Sequence, residues 1–272
     1  MPRLSVNGVD LYYEVQGEGI PILGVHGTPG PAVMWADAAK ELARHGRCII
    51  YDRRGFHRSA PPLPFGNLDL VDHVDDAAAV LAALHAGPAV VIGSSTGGLI
   101  AIELARRFPD KVKALALLEP TLFTIDPDAD AWARSLRLRV LERSTGRPGL
   151  LAETVVREAL GDATWESLPD ELKQMLAGTS HAVLAEIKGH RMDLSEDALE
   201  LGEDELAGIR RPTLIVSAED SPGAYRSVNA RLSGALPFTR TVQVTGGHLI
   251  NPAHPAVLDF VDRISAGADT WA

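Results

Sequence analysis

Short apolar runs with no polar alternation, each cut off by a glycine-rich or charged turn, constrain this chain more than any other feature. Pro21–Val25 ends at His26-Gly27-Thr28-Pro29-Gly30, and Arg47–Tyr51 ends at Asp52-Arg53-Arg54-Gly55. Residues 89–92 run into Gly93-Ser94-Ser95-Thr96-Gly97-Gly98, and Val112–Leu118 is apolar except for Lys113. Between these runs lie helical patterns at 33–44, 70–84 and 99–108; in the second, Leu70, Val74, Ala77, Ala78, Leu81 and Leu84 form one stripe. All-apolar strands alternating with helices predict an α/β fold, a mostly parallel sheet with helices on both faces. At the front, residues 4–6 and 11–15 flank Asn7-Gly8, a hairpin signal that adds an antiparallel edge.

From about Thr121 to Gly208 the strand signal disappears. Only helical periodicities remain, at 132–141, 150–160 and 171–176, so this stretch reads as a helical cap inserted into the sheet domain. Alternation then resumes, with strands at 213–217 and Thr239–Val244 and helices at 224–236 and Pro255–Ser265. The expected organisation is a core of residues 1–120 and 209–272 with a cap of 121–208.

Composition narrows the partners. With 26 Lys and Arg against 36 Asp and Glu, the net charge is −10, which argues against nucleic acid or an anionic membrane surface. Cys48 is the single cysteine, so an intramolecular disulfide and a multi-cysteine zinc site are both excluded. No apolar run approaches the ~18 residues of a membrane span. The first ten residues lack the pattern of a signal peptide. The default expectation is therefore a cytoplasmic protein with a small-molecule substrate, and a homodimer is compatible with it.

Gly93-Ser94-Ser95-Thr96-Gly97 fits G-x-S-x-G between a strand and a helix, the one context in which that motif has a mechanical meaning. Only Ser95 has glycine at both two-residue offsets; Ser94 does not. A serine needs a base and an orienting acid to become a nucleophile. Among nine histidines, His181, His190, His248 and His254 follow Ser95 with room for an acid between. His248 sits after a strand, on the loop Thr245-Gly246-Gly247, where sites gather in open parallel sheets. His254, between Pro252 and Pro255, reads as structural, and His181 and His190 fall in the cap. Backbone N–H groups of Thr96 and Thr28 are the oxyanion donors expected, since Pro29 has none to give. His26 reads as a hydrogen-bonder that holds the Thr28 loop.

His26-Gly27, Asp52-x-Arg54-Gly55-x-x-x-Ser59, the turn at Ser95 and the late Gly247-His248 occur in an order that resembles the α/β-hydrolase superfamily over nearly the whole chain. The resemblance implies eight strands, a cap after strand six, and no metal or cofactor. His57 stands where that family usually has a further glycine, which could bring an imidazole toward the pocket or leave it solvated. The family's commonest acid lies after strand seven, in a slot that here holds Ser221; Asp220 is one residue early. Glu119, at the end of Val112–Leu118, is the other choice. Its placement is similar to that in zearalenone lactone hydrolase-like members, which carry a glutamate after strand six. The triad expected is Ser95, His248 and Glu119, with Asp220 in reserve.

The reaction implied is hydrolysis of a carboxylic ester or lactone of a small, largely apolar molecule through an acyl-enzyme. Phe123, Trp132, Leu136, Met175, Leu176 and Met192 are candidates for either the pocket wall or the cap's own core. The rival readings are a peptidase, a carbon–carbon bond hydrolase on the same triad, and a ligand receptor of the same fold without turnover. His26-Gly27-x-Pro29-Gly30 also looks like the prolyl aminopeptidases, but Thr96 stands where those have an aromatic residue.

Overall fold

The computed structural model describes residues 2–267. Its eight strands are β1 (Arg3–Val6), β2 (Val9–Gln16), β3 (Pro21–Val25), β4 (Arg47–Tyr51), β5 (Ala89–Ser94), β6 (Val112–Leu118), β7 (Thr213–Ala218) and β8 (Thr239–Val244). They form one sheet in the order β1-β2-β4-β3-β5-β6-β7-β8. The β1–β2 and β2–β4 pairs are antiparallel and the others parallel. Asn7 and Gly8 both take positive φ, 47° and 77°, as a two-residue hairpin turn requires.

The apolar strands are buried on both faces, and alternate residues supply two separate cores. Ile22, Ile50, Val90, Ile92, Ala116 and Val216 pack on one face, against α1 (Ala36–Leu42) and the Phe260 face of the last helix. Leu23, Ile49, Val91, Leu115, Leu117 and Ile215 point the other way. They meet α2 (Leu70–Ala83), α3 (Thr96–Arg107) and a later helix that follows β7. The helical pattern at 33–44 divides in the structure: a 3₁₀ turn over Ala32–Trp35 precedes α1. The ring of Trp35 fills the space above Gly24, where a Cβ would come within 2.8 Å of it.

Six helices stand between β6 and β7: α4 (Pro127–Arg143), α5 (Leu151–Leu160), α6 (Asp162–Ser167), α7 (Asp170–Gly178), α8 (Ser180–Lys188) and α9 (Glu203–Ala207). Asp126 caps α4 by accepting from the Asp128 and Ala129 N–H groups. The insertion has its own apolar cluster, including Leu136, Val140, Val156, Trp165, Leu176 and Ile187. After β7 come α10 (Gly223–Ala235) and, after β8, α11 (Pro255–Ser265). Among the described residues no helix is long and apolar enough to cross a membrane.

Candidate active site

The serine turn is built where β5 stops and α3 begins. Ser95 lies at φ 54°, ψ −122°, a backbone conformation that costs a non-glycine residue about 1–3 kcal/mol and persists only where neighbours enforce it. The enforcement is visible: the Ser95 N–H donates to Leu118 O at 3.0 Å, and its carbonyl accepts from Gly98 N–H at 2.7 Å. Gly97 admits the close crossing of β3, since a Cβ there would lie 2.1 Å from Val25 O. Gly27 does the same for the loop after β3, its missing Cβ falling 2.9 Å from Ser95 Cβ. That loop therefore lies directly against the serine. Thr96 opens α3, where an N–H has no carbonyl four residues back to bond.

Glu119 is the residue after β6, fully buried and itself at positive φ, 47°. A lone carboxylate at that depth would be costly. Three donors meet it. Oε1 accepts from Ala218 N–H at 2.8 Å, while Oε2 accepts from the Ser221 hydroxyl at 2.7 Å and from His248 Nδ1 at 2.7 Å. With its Nδ1–H given to Glu119, His248 carries its free lone pair on Nε2. Its ring lies 4.0 Å from that of Tyr225 on α10, inclined by 33°. Asp220 is exposed, and among the described residues its side chain makes no hydrogen bond or ion pair; only its backbone N–H is engaged, to Gly246 O. The structure thus brings His248 to Glu119 and not to Asp220. Ser221, in the slot where the family most often carries its acid, serves Glu119 as a hydrogen-bond donor.

Behind the Thr28 loop lies a second buried polar cluster. Arg53, with no exposed surface, pairs with Glu186 of α8 and donates from Nη2 to Thr28 Oγ1 at 2.7 Å. Thr28 passes the bond on to Glu186 Oε2 at 2.6 Å, and His73 Nε2 lies 3.0 Å from Glu186 Oε1. Burial alone would raise the Glu186 pKa; the Arg53 guanidinium, His73 and Thr28 outweigh it and hold the carboxyl at about 2. His26 Nε2 accepts from Arg53 N–H at 2.9 Å, and Nδ1 faces Gly27 O at 2.9 Å, which assigns the proton to Nδ1. Burial, then the Arg53 charge, depresses the His26 pKa well below 6.5, so it stands there as a neutral loop holder.

Ser95, His248, Thr28 and Thr96 open on one cavity of about 660 Å³. Phe123, Leu136 and Leu176 line it, as do Val156, Leu160 and Leu168 of the insertion. Trp132 does not; it packs on Phe123 and Tyr225 one layer behind. Met192 is wholly buried in the main core, and Met175 is half-buried away from the cavity. His57 is exposed and turned away, at φ 45°; that positive φ is a physical reason for the glycine the family pattern has there. His254 caps α11, accepting from Ala256 N–H at 3.2 Å. His190 is an exposed partner of Asp197, and His181 an exposed neighbour of Phe65.

A family model described as the alpha/beta hydrolase fold matches residues 20–255. The chain belongs to the α/β-hydrolase superfamily. Along its length this hydrolase is 29% identical to the protein named "Putative carbamate hydrolase RutD" of Azorhizobium caulinodans, over 95% of this chain and 96% of the relative. It is similar in fold to a thermophilic esterase from Thermogutta terrifontis, with TM-score 0.75, 24% identity, and 99% of this chain and 100% of that one covered. It is also similar to Est816, described as an N-acyl homoserine lactone degrading enzyme, with TM-score 0.66, 24% identity, and 98% and 100% covered.

Arg53, Glu186, Tyr225 and Asp193, a cavity carboxylate, were not singled out by the sequence, and Ser221 was named only as the occupant of the family's acid slot. A hydroxyl in the expected acid slot was the available signal for Ser221, because a buried carboxylate nearby needs donors.

Proposed function

We propose that this hydrolase cleaves a carboxylic ester or lactone of a small, largely apolar molecule through Ser95, His248 and Glu119. The observation that carries the reading is the 2.7 Å contact from His248 Nδ1 to a fully buried Glu119. A carboxylate so placed fixes the imidazole tautomer and stabilises the imidazolium formed during reaction. His248 Nε2 takes the proton from Ser95 as its Oγ attacks the carbonyl carbon. The N–H groups of Thr28 and Thr96 stabilise the oxyanion, a contribution of about 2.7–4 kcal/mol for a single donor in such sites. His248 then protonates the leaving oxygen, and a water deprotonated by the same imidazole releases the acid.

We read residues 121–208 as a cap over this site, because their apolar side chains wall the cavity beside the nucleophile. The names of an esterase and a lactone-degrading enzyme among the structural relatives favour a carbonyl bonded to oxygen. The carbamate hydrolase name of a relative aligned along nearly the whole chain favours a second reading, an acyl carbon that also bears nitrogen.

Intact mass after treatment with a small fluorophosphonate is the direct test. One adduct on the wild type and none on Ser95→Ala is expected, followed by turnover in a panel of short esters, lactones and carbamates. A folded wild type that takes no adduct and turns over none of the panel would overturn the reading.

A further inference from the structure

Beside the nucleophile, the cavity holds a carboxylate that the mechanism above does not use. Asp193 lies on the return from α8 to the sheet and lines the cavity. Its Oδ2 accepts from Thr96 Oγ1 at 2.7 Å, and Oδ1 accepts from Leu194 N–H at 3.1 Å. A carboxylate has about four acceptor positions; Thr96 and Leu194 fill two and the Thr121 hydroxyl lies beside it, so acceptor capacity is left over. Among the described residues no cation pairs with it: Arg53, whose charge acts on it, is committed to Glu186. Asp193 is partly exposed where it lines the cavity, and burial raises its pKa.

A second observation points to a ligand at the same place. Thr121, 2% exposed and also lining the cavity, has a hydroxyl without a hydrogen bond of competent geometry, though it lies near enough to Asp193 to favour the charged carboxylate. Tyr225 borders the same corner, its phenol pushed up by burial and by the Asp193 charge. The insertion's side of the wall is apolar, with Leu136, Val155, Val156, Leu160 and Leu168, while Asp37, Lys40, Glu41 and Arg44 line another part of it. An acceptor and a buried hydroxyl whose bonding is incomplete are costly until a ligand completes it.

We propose that Asp193 and Thr121 form a subsite for a hydrogen-bond donor, N–H or O–H, carried on the substrate next to the scissile carbonyl. Its position follows from Thr96, whose N–H faces the reacting oxygen while its side chain holds Asp193. This deepens, and rests on, the ester or lactone hydrolase reading. It assigns the substrate class as acyl compounds with an α-hydroxyl or α-nitrogen rather than plain alkanoates.

The test compares phenyl 2-methylbutyrate, phenyl 2-hydroxybutyrate and phenyl 2-aminobutyrate, three near-isosteres. Each kcat/KM is divided by the ester's own hydroxide rate, because the polar substituents activate the carbonyl. The wild type should prefer at least one donor ester by about tenfold or more, of the order of one bidentate polar contact. Asp193→Leu should bring that preference to within about twofold, whereas Asp193→Asn, which keeps an acceptor oxygen, should retain more of it for the hydroxyl than for the ammonium. Absence of a preference in the wild type would overturn the subsite, as would its survival in Asp193→Leu. An equal loss over all three esters would also overturn it, leaving Asp193 as a support for Thr96 alone. Calorimetric binding of the same esters to Ser95→Ala, with and without Asp193→Leu, reads the subsite without turnover. If Ser95 is never labelled but the binding preference is present and lost on substitution, the hydrolase reading fails and the subsite stands.

Discussion

Two buried polar clusters flank Ser95, and they are anchored differently. On one side Glu119 takes all its donors from the ends of the sheet and the loops after β7 and β8: Ala218, Ser221 and His248. On the other, the Thr28 loop is tied through Arg53 to Glu186, a residue of the helical insertion. The first cluster is complete without the insertion. The second is completed by it, since Glu186 of α8 closes the contacts of Arg53 and Thr28. In this molecule the His248 imidazole is held by a residue at the end of β6, and the Thr28 loop is held by a contact with α8.

The largest effect should come from the core side. Glu119→Gln should lower kcat by about 10⁴-fold, because the amide presents the wrong partner to Nδ1, while Asp220→Asn leaves kcat within a factor of two; steady-state kinetics on one ester decides. The reverse pattern would move the acid to Asp220 and dissolve the comparison. Next, Arg53→Met should cost about 3–5 kcal/mol of stability by stranding a buried Glu186 charge. The double variant Arg53→Met/Glu186→Met should recover most of that in urea unfolding, yet leave kcat depressed because Thr28 has lost both partners. Full recovery of kcat as well would mean the loop needs no tie to the insertion.

Acid should act on the second cluster through His26 and Glu186. The folded pKa of His26 is depressed, so its contribution is present above about 6.5 and is lost as pH falls from there toward the folded value. The Glu186 contribution is present above about 4.5 and is lost as pH falls through about 2. Urea midpoints should therefore decline in two stages on acidification, and Glu186→Gln should flatten the lower stage while steepening the upper one, because the Glu186 charge supports protonation of His26. The smallest expected effect is Ser221→Ala, which removes one of three donors to Glu119. It should cost about 1–2 kcal/mol, with a fall in kcat of roughly tenfold or less. A loss matching Glu119→Gln would show that the hydroxyl, and not the imidazole, governs the carboxylate.

What the sequence disclosed follows the range of the interactions involved. Strands such as Pro21–Val25, Arg47–Tyr51 and Val112–Leu118 were legible because burial on both faces leaves an unbroken apolar run. The serine turn was legible because glycine is required where backbones cross. Glu119 could be read because a carboxylate ending an apolar strand demands a partner. Helices α6, α8 and α9 carried no such local imprint, since their apolar faces are matched by other helices, α6 and α8 by α5, and α9 by α10. The Arg53–Glu186 pair joins residues 133 positions apart, and Asp193 reaches Thr96 across 97. Nothing in either neighbourhood records the other.

Pro120, directly after Glu119, packs on the first turn of α3, where a Cβ on Gly98 would come within 2.7 Å of its own. Glu119 N–H is meanwhile bonded to Val216 O at 3.2 Å. The doorway through which the chain leaves the sheet is thus bolted on both sides before the insertion starts. Such a joint insulates the acid from whatever is hung beyond it. New insertions can be grafted after Thr121 to explore other substrates without retuning the acid and the imidazole, provided each graft brings its own answer to the charge of Arg53.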